Sequence, residues 1–180
     1  MDLKAAKLNT VADIEALDEN VRAELIDGKI YYMALPLTVH QRLLTFLIRK
    51  IADKLEEAGM DCEVIPAPFG VYLYNDEHNL VEPDISVICE KSKIDEKGCH
   101  GAPEWIIEIV SPSSVRMDYS IKLFKYRTAG VKEYWIVDPA KREVLVYDFE
   151  NGDDYFCYSF EETVCNAHIP ELKVDLSKYF

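Results

Sequence analysis

Residues 105–110 (Trp-Ile-Ile-Glu-Ile-Val) place one carboxylate, Glu108, among five apolar side chains. A short, near-continuous apolar run reads as a central strand covered on both faces. The chain must therefore lay structure on each side of a sheet. An unpaired carboxylate inside such a strand is costly, or it gives up its charge. Glu108 needs a basic partner or a cation, and the run by itself leaves both open.

The remaining pattern supplies the layers. Residues 11–18 read as a short helix capped by Asn9 or Thr10. Asp27-Gly28 between 24–26 and 29–33 is a hairpin signal. Thr38 followed by Gln41 has the form of a capping box opening a long helix to about residue 58, with Gly59 as its stop. Strands are expected at 62–65, 71–74, 85–89, 105–110, 133–137, 143–149 and 155–160, with a second helix over 117–128 ending near Gly130. The sum is an α/β (α+β) chain built around a mixed sheet flanked by helices.

Length and composition set outer limits. With 180 residues, 49% of them hydrophobic, the chain can bury a core of its own, and a single domain over 1–180 is expected. No apolar run reaches the roughly 18 residues of a membrane span. Met1-Asp2-Leu3-Lys4 lacks the basic start and apolar stretch of a secretory leader, which points to the cytoplasm. Five widely spaced cysteines (62, 89, 99, 157 and 165) without a Cys-x-x-Cys pair argue against a zinc site or a disulfide framework. Cys89, at the end of an apolar strand, reads as a small buried hydrophobe. The net charge of -13 repels polyanions, so any nucleic-acid role must rest on a local basic patch, a cation or a partner.

Few residues carry candidate chemistry. Pro83 precedes Asp84 at the mouth of a strand, where a proline presents the next side chain at a sheet end. Strand alternation puts Glu108 and residue 110 on one face. Two acids and a lysine arranged as Pro-Asp…Glu-x-Lys suit metal-assisted phosphodiester hydrolysis, but position 110 is valine. A lysine from the next helix can supply the missing charge. Asp118 and Lys122 also read as an ordinary solvated i,i+4 pair, and spacing does not choose between Lys122 and Lys125. Glu24 reads by default as a surface strand acid, and His40 as a capping, packing or phosphate-touching residue. His78, His100 and His168 fall in expected loops without ligand spacing. No phosphate-cradling glycine loop or nucleophile elbow occurs.

Six segments in order carry a resemblance: Glu24-Leu25-Ile26-Asp27-Gly28, His40-Gln41, Val81-Glu82-Pro83-Asp84-Ile85, Glu108-Ile109-Val110-Ser111-Pro112-Ser113, Asp118-x-x-x-Lys122-x-x-x-Tyr126, and the run from Gly130 to Pro139. The chain resembles the Uma-type family of proposed restriction endonucleases, a bacterial group within the PD-(D/E)xK nuclease superfamily, over roughly residues 10 to 150. The resemblance implies a restriction-endonuclease-like fold with Asp84 and Glu108 as metal ligands. It also implies that the lysine missing at position 110 has moved to Lys122, with Glu24 as an N-terminal acid near the metal.

The function expected on this basis is divalent-metal-dependent hydrolysis of phosphodiester bonds in DNA. Asp84, Glu108 and the Ile109 carbonyl would hold Mg²⁺, or Mn²⁺ as an alternative. Asp84, Glu108, Lys122 and Glu24 would form the catalytic set. The competing expectation is a non-catalytic nucleic-acid or protein-binding module that keeps the fold, motivated by the acidic balance and by Val110. A homodimer is expected through apolar edge strands such as 144–149.

Overall fold

In the computed structural model, which describes residues 7–152, 154–177 and 179, the chain opens with α1 (Val11–Glu15), a hairpin of β1 (Ala23–Ile26) and β2 (Lys29–Tyr32), and the long helix α2 (Thr38–Glu57). Strands β3 (Glu63–Pro66), β4 (Val71–Tyr72), β5 (Ile85–Ile88), β6 (Cys99–His100) and β7 (Trp105–Ile109) follow. A two-part helix comes next, a π-helical segment Met117–Lys122 continued by α3 (Leu123–Ala129). The chain then forms β8 (Glu133–Asp138), β9 (Glu143–Asp148), β10 (Tyr155–Ser159), β11 (Thr163–Cys165) and β12 (Lys173–Asp175). Residues 1–4, on which the reading of no leader rests, lie outside the described residues.

The main sheet has the order β10-β9-β8-β7-β5-β3. Only β7 and β8 are parallel. A parallel pair needs a crossover between its strands, and the π-helical segment with α3 supplies it. Alternation along β7 divides the core as a central strand requires. Trp105, Ile107 and Ile109 face a layer containing Leu43, Leu47, Ile51 and Leu55 of α2 and the β11–β12 hairpin. Ile106 and Val110 face the opposite layer with Tyr126, Val131 and Tyr134. The α2 leucines and isoleucine recur every four residues, and each buried side chain contributes roughly 1.5–3 kcal/mol. No described helix is long and apolar enough to cross a membrane.

Four expectations change. Thr38 is the first helical residue of α2 rather than its cap; Leu37 takes the cap position and no side chain bonds there. The chain's capping box lies instead at α1, where the Asp13 carboxylate accepts from the Thr10 N–H at 2.7 Å and the Thr10 hydroxyl at 3.0 Å. Strand β9 is interior, flanked by β8 and β10, so it offers no edge; β10 and β3 are the ends of the sheet. Cys62 and Cys89 form a disulfide, and Cys89 is exposed rather than buried. The antiparallel register of β3 on β5 pairs Glu63 with Ile88, and its continuation brings the two cysteines opposite each other. His100 lies in the short strand β6, paired in parallel with β4, rather than in a loop.

Candidate active site

Sheet register assembles the acids. Ile85 of β5 pairs antiparallel with Ile107 of β7, so the next residues out, Asp84 and Glu108, become neighbours. The two acids are laced through the backbone. The Ile109 N–H donates to Asp84 Oδ2 at 2.8 Å, and the Asp84 N–H reaches Glu108 Oε2 at 3.3 Å. The β1–β2 hairpin turns through Asp27 and Gly28, both at positive φ (50° and 70°), as a two-residue hairpin turn demands. That turn seats β1 against the segment before Asp84, where Leu25 and Leu80 exchange backbone hydrogen bonds. Glu24 is thereby carried inward, and its Oε1 accepts the Glu82 N–H at 2.9 Å.

The crossover helix supplies the cation of the cluster. Lys122 Nζ lies 2.8 Å from Glu108 Oε1 and 2.8 Å from Glu24 Oε1. Asp118 and Lys122, four apart on this π-helical turn, share its inward face, and both are buried. Asp118 is buried, and its Oδ2 accepts the Ser114 hydroxyl at 2.5 Å. One turn further, Tyr126 donates its phenol to Glu108 Oε1 at 2.6 Å. From α2, His40 Nε2 meets Asp84 Oδ2 at 3.0 Å. Glu24, Asp84, Glu108, Asp118, Lys122 and His40 line one cleft of about 270 Å³. At roughly 30 Å³ per water, that space admits a hydrated ion together with a phosphate group.

The charges do not balance. Glu24, Glu108, Asp118 and Lys122 are each 4% exposed or less, so solvent screens them little. Burial raises the Glu108 carboxyl well above the usual carboxylate range, against the pull of Lys122, with Asp84, Asp118 and Glu24 adding to the rise. Burial likewise pushes Asp118 up to about 6, opposed by Lys122 and the Ser114 hydroxyl. Lys122 is held charged: burial acts against it, but Glu108, Glu24 and Asp118 outweigh burial and raise its pKa. His40 is also raised; burial opposes its charge, and the hydrogen bond and charge of Asp84 prevail. One lysine among four acids leaves a surplus of negative charge that a proton or a cation must neutralise.

The donor set fits a hard divalent ion. Among the described residues no three His, Cys, Asp or Glu side chains converge as a ready-made cage. An ion of the Mg²⁺ type needs none, since it is commonly held by one or two carboxylates and keeps several waters.

Residues 11–174 match the model of the Uma2 family, described as "Putative restriction endonuclease". The chain belongs to the Uma2 family. The match spans every residue of the cleft named above. Among curated proteins the chain is similar to an uncharacterised protein of Synechocystis sp., 24% identical over 139 residues, which is 77% of this chain and 72% of that one. Among solved structures it is similar to "a putative nuclease belonging to DUF820" from Anabaena variabilis, with a TM-score of 0.76. The two share 22% identity over 95% of this chain and 97% of the other. At that identity the likeness concerns the fold, which is nuclease-like.

The structure brings Asp84, Glu108, Ile109, Lys122 and Glu24 together. Lys125 goes elsewhere, pairing with Asp27 at the hairpin turn and lying 5.4 Å from the Tyr74 ring. Glu24 is buried, not a surface acid. Asp118 is likewise no solvated partner of Lys122 but a buried wall of the cleft, and Tyr126, to which the sequence assigns no role, reaches Glu108. Their common signal was the spacing 118, 122, 126, which also fits an ordinary exposed helix face.

Proposed function

We propose that the cleft hydrolyses phosphodiester bonds with a divalent cation, Mg²⁺ or alternatively Mn²⁺, and that its substrate is DNA. The observation that carries the reading is the surplus of buried carboxylate over lysine in one cleft, in a chain of this family. Asp84, Glu108 and the backbone carbonyl of Ile109 would hold the ion, which when bound polarises a phosphate and acidifies a water. Lys122 spends two of its three ammonium protons on Glu24 and Glu108. Its third meets no acceptor among the described residues and would orient an attacking water or meet charge developing on the phosphate. Glu24 fixes Lys122 and ties it to the segment leading into Asp84.

The reading takes residues 1–180 as one domain acting in the cytoplasm on nucleic acid. It also takes a homodimer as the assembly, supported by the open edge of β10 with its exposed Tyr155 and Phe156. The test is nicking of supercoiled plasmid, with a single-stranded RNA in parallel. Mg²⁺-dependent DNA cleavage is expected in the wild type and should vanish in Asp84→Asn with its circular dichroism unchanged. Equal cleavage by the variant would reject the site, and preference for RNA would reject the substrate.

A second reading, a non-catalytic binding module, is favoured by one observation. The lysine and arginine that line the cleft, Lys122 and Arg22, are both committed to carboxylates, Arg22 to Glu82 at 2.6 Å. Calorimetry with Mg²⁺ separates the two, because a module that has lost its chemistry should show no binding that Asp84→Asn removes.

A further inference from the structure

The two oxygens of Glu108 are treated differently. Oε1 accepts both Lys122 Nζ at 2.8 Å and the Tyr126 phenol at 2.6 Å. Among the described residues Oε2 receives only the Asp84 N–H, at a longer 3.3 Å. Asp84 is divided in the same way. Its Oδ2 takes the Ile109 N–H and His40, while no hydrogen bond falls on Oδ1 among the described residues. Each acid thus keeps one oxygen occupied and one in reserve.

Tyr126 is the least explained member of this frame. Its ring is fully buried and packs edge-on against Tyr134, with centroids 5.0 Å apart. Packing alone would be served as well by phenylalanine. Its hydroxyl nevertheless lies on the carboxylate at the centre of the cleft. We propose that Tyr126 is a positioning residue that, with Lys122, occupies Glu108 Oε1 and so restricts Glu108 to a single metal-binding oxygen, Oε2.

The consequence is cation choice. Ca²⁺ takes six to eight oxygens and often binds carboxylates through both, whereas Mg²⁺ demands near-octahedral geometry and is content with single oxygens and water. A Glu108 locked to one oxygen therefore favours the smaller ion. The proposal rests on the cation reading given above and adds how the ion is selected. Burial, with Glu108 and Glu24 adding to it, raises the Tyr126 phenol far above the working range, so it remains a donor.

The experiment is calorimetric titration of wild type and Tyr126→Phe with Mg²⁺, Mn²⁺ and Ca²⁺. Groups behind metal ligands typically govern affinity about 10–100-fold, and a loss of that size for Mg²⁺ is expected, with a smaller loss for Ca²⁺. Tyr134→Phe removes a buried hydroxyl that bonds the Asp118 carbonyl instead of Glu108, and it should keep the wild-type ion preference. Infrared difference spectra of the wild type on adding Mg²⁺ give a readout that needs no variant. A wide splitting of the carboxylate stretches is expected for single-oxygen ligation. A narrow, two-oxygen splitting, or equal affinities in Tyr126→Phe, would overturn this proposal alone. Absence of any ion binding by the wild type would overturn it together with the cation reading.

Discussion

Lys122 decides whether the buried acids can coexist. It stands between Glu24 and Glu108, 2.8 Å from each, with almost no exposure. Removing one partner of a buried ion pair typically costs about 3–5 kcal/mol, because the other charge is left uncompensated. Lys122→Ala is therefore expected to lose stability of that order in urea unfolding, and Mg²⁺ should restore part of it by replacing the lost charge. A loss under about 1 kcal/mol would mean the cluster does not depend on this lysine. Spacing alone leaves Lys122 and Lys125 equivalent, since aromatic and aliphatic residues fall on several sides of their helix. What separates them is their partners: Lys125 meets Asp27, 98 residues away in sequence, and Lys122 meets a sheet. No local pattern encodes such distant contacts.

At the scale of elements, the π-helical turn between Met117 and Lys122 is the part the sequence did not disclose. The helix itself was legible over 117–128, with Gly130 closing it at φ 96°. Its widened turn was not, because π-bulges have no reliable residue signature and are selected by what the helix packs on. Deleting the exposed Ser120 should close the wide turn to regular α-helix, in which Asp118 and Lys122, then three apart, still share one face. The expected outcome is unchanged helical circular dichroism with Mg²⁺ binding retained, because sheet register places Asp84 and Glu108; lost binding would show that the wide turn itself sets the site. The misplaced capping box at Thr38 has a similar origin. A Ser/Thr-x-x-Glu/Gln pattern marks a helix start only when its first residue takes the cap position, and in α2 that position falls one residue earlier, at Leu37.

Across the whole molecule, another buried acid lies outside the cleft. Glu133, at the start of β8, accepts the Trp135 indole N–H and, at 2.8 Å, the Ala167 N–H. It thereby fastens the segment between β11 and β12 to the sheet. Burial raises its pKa from 4.5 to about 7, opposed by those two donors and His168, while Asp148 adds to the rise. A carboxyl whose folded pKa lies above its unfolded value binds protons in the native state between the two. Its contribution is present in full below about pH 4.5 and is lost as pH climbs through about 7. The stability lost over that window is on the order of 3 kcal/mol at 1.36 kcal/mol per unit. Thermal melts from pH 5 to 8 should show a fall in Tm that is shallower in Glu133→Gln. An identical slope in the variant would remove Glu133 as the cause.

By itself the sequence determined the layered α/β plan, the central strand with its buried acid, and most element positions. These follow from local periodicity: alternation of two, helical spacing, and turn residues that tolerate positive φ. The tertiary structure decided which charges meet. The disulfide between Cys62 and Cys89, the interior place of β9, the burial of Glu24 and Asp118, and the phenol on Glu108 all depend on strand register and crossover packing. Register joins residues tens of positions apart, and a single pair so joined leaves no periodic trace along the chain.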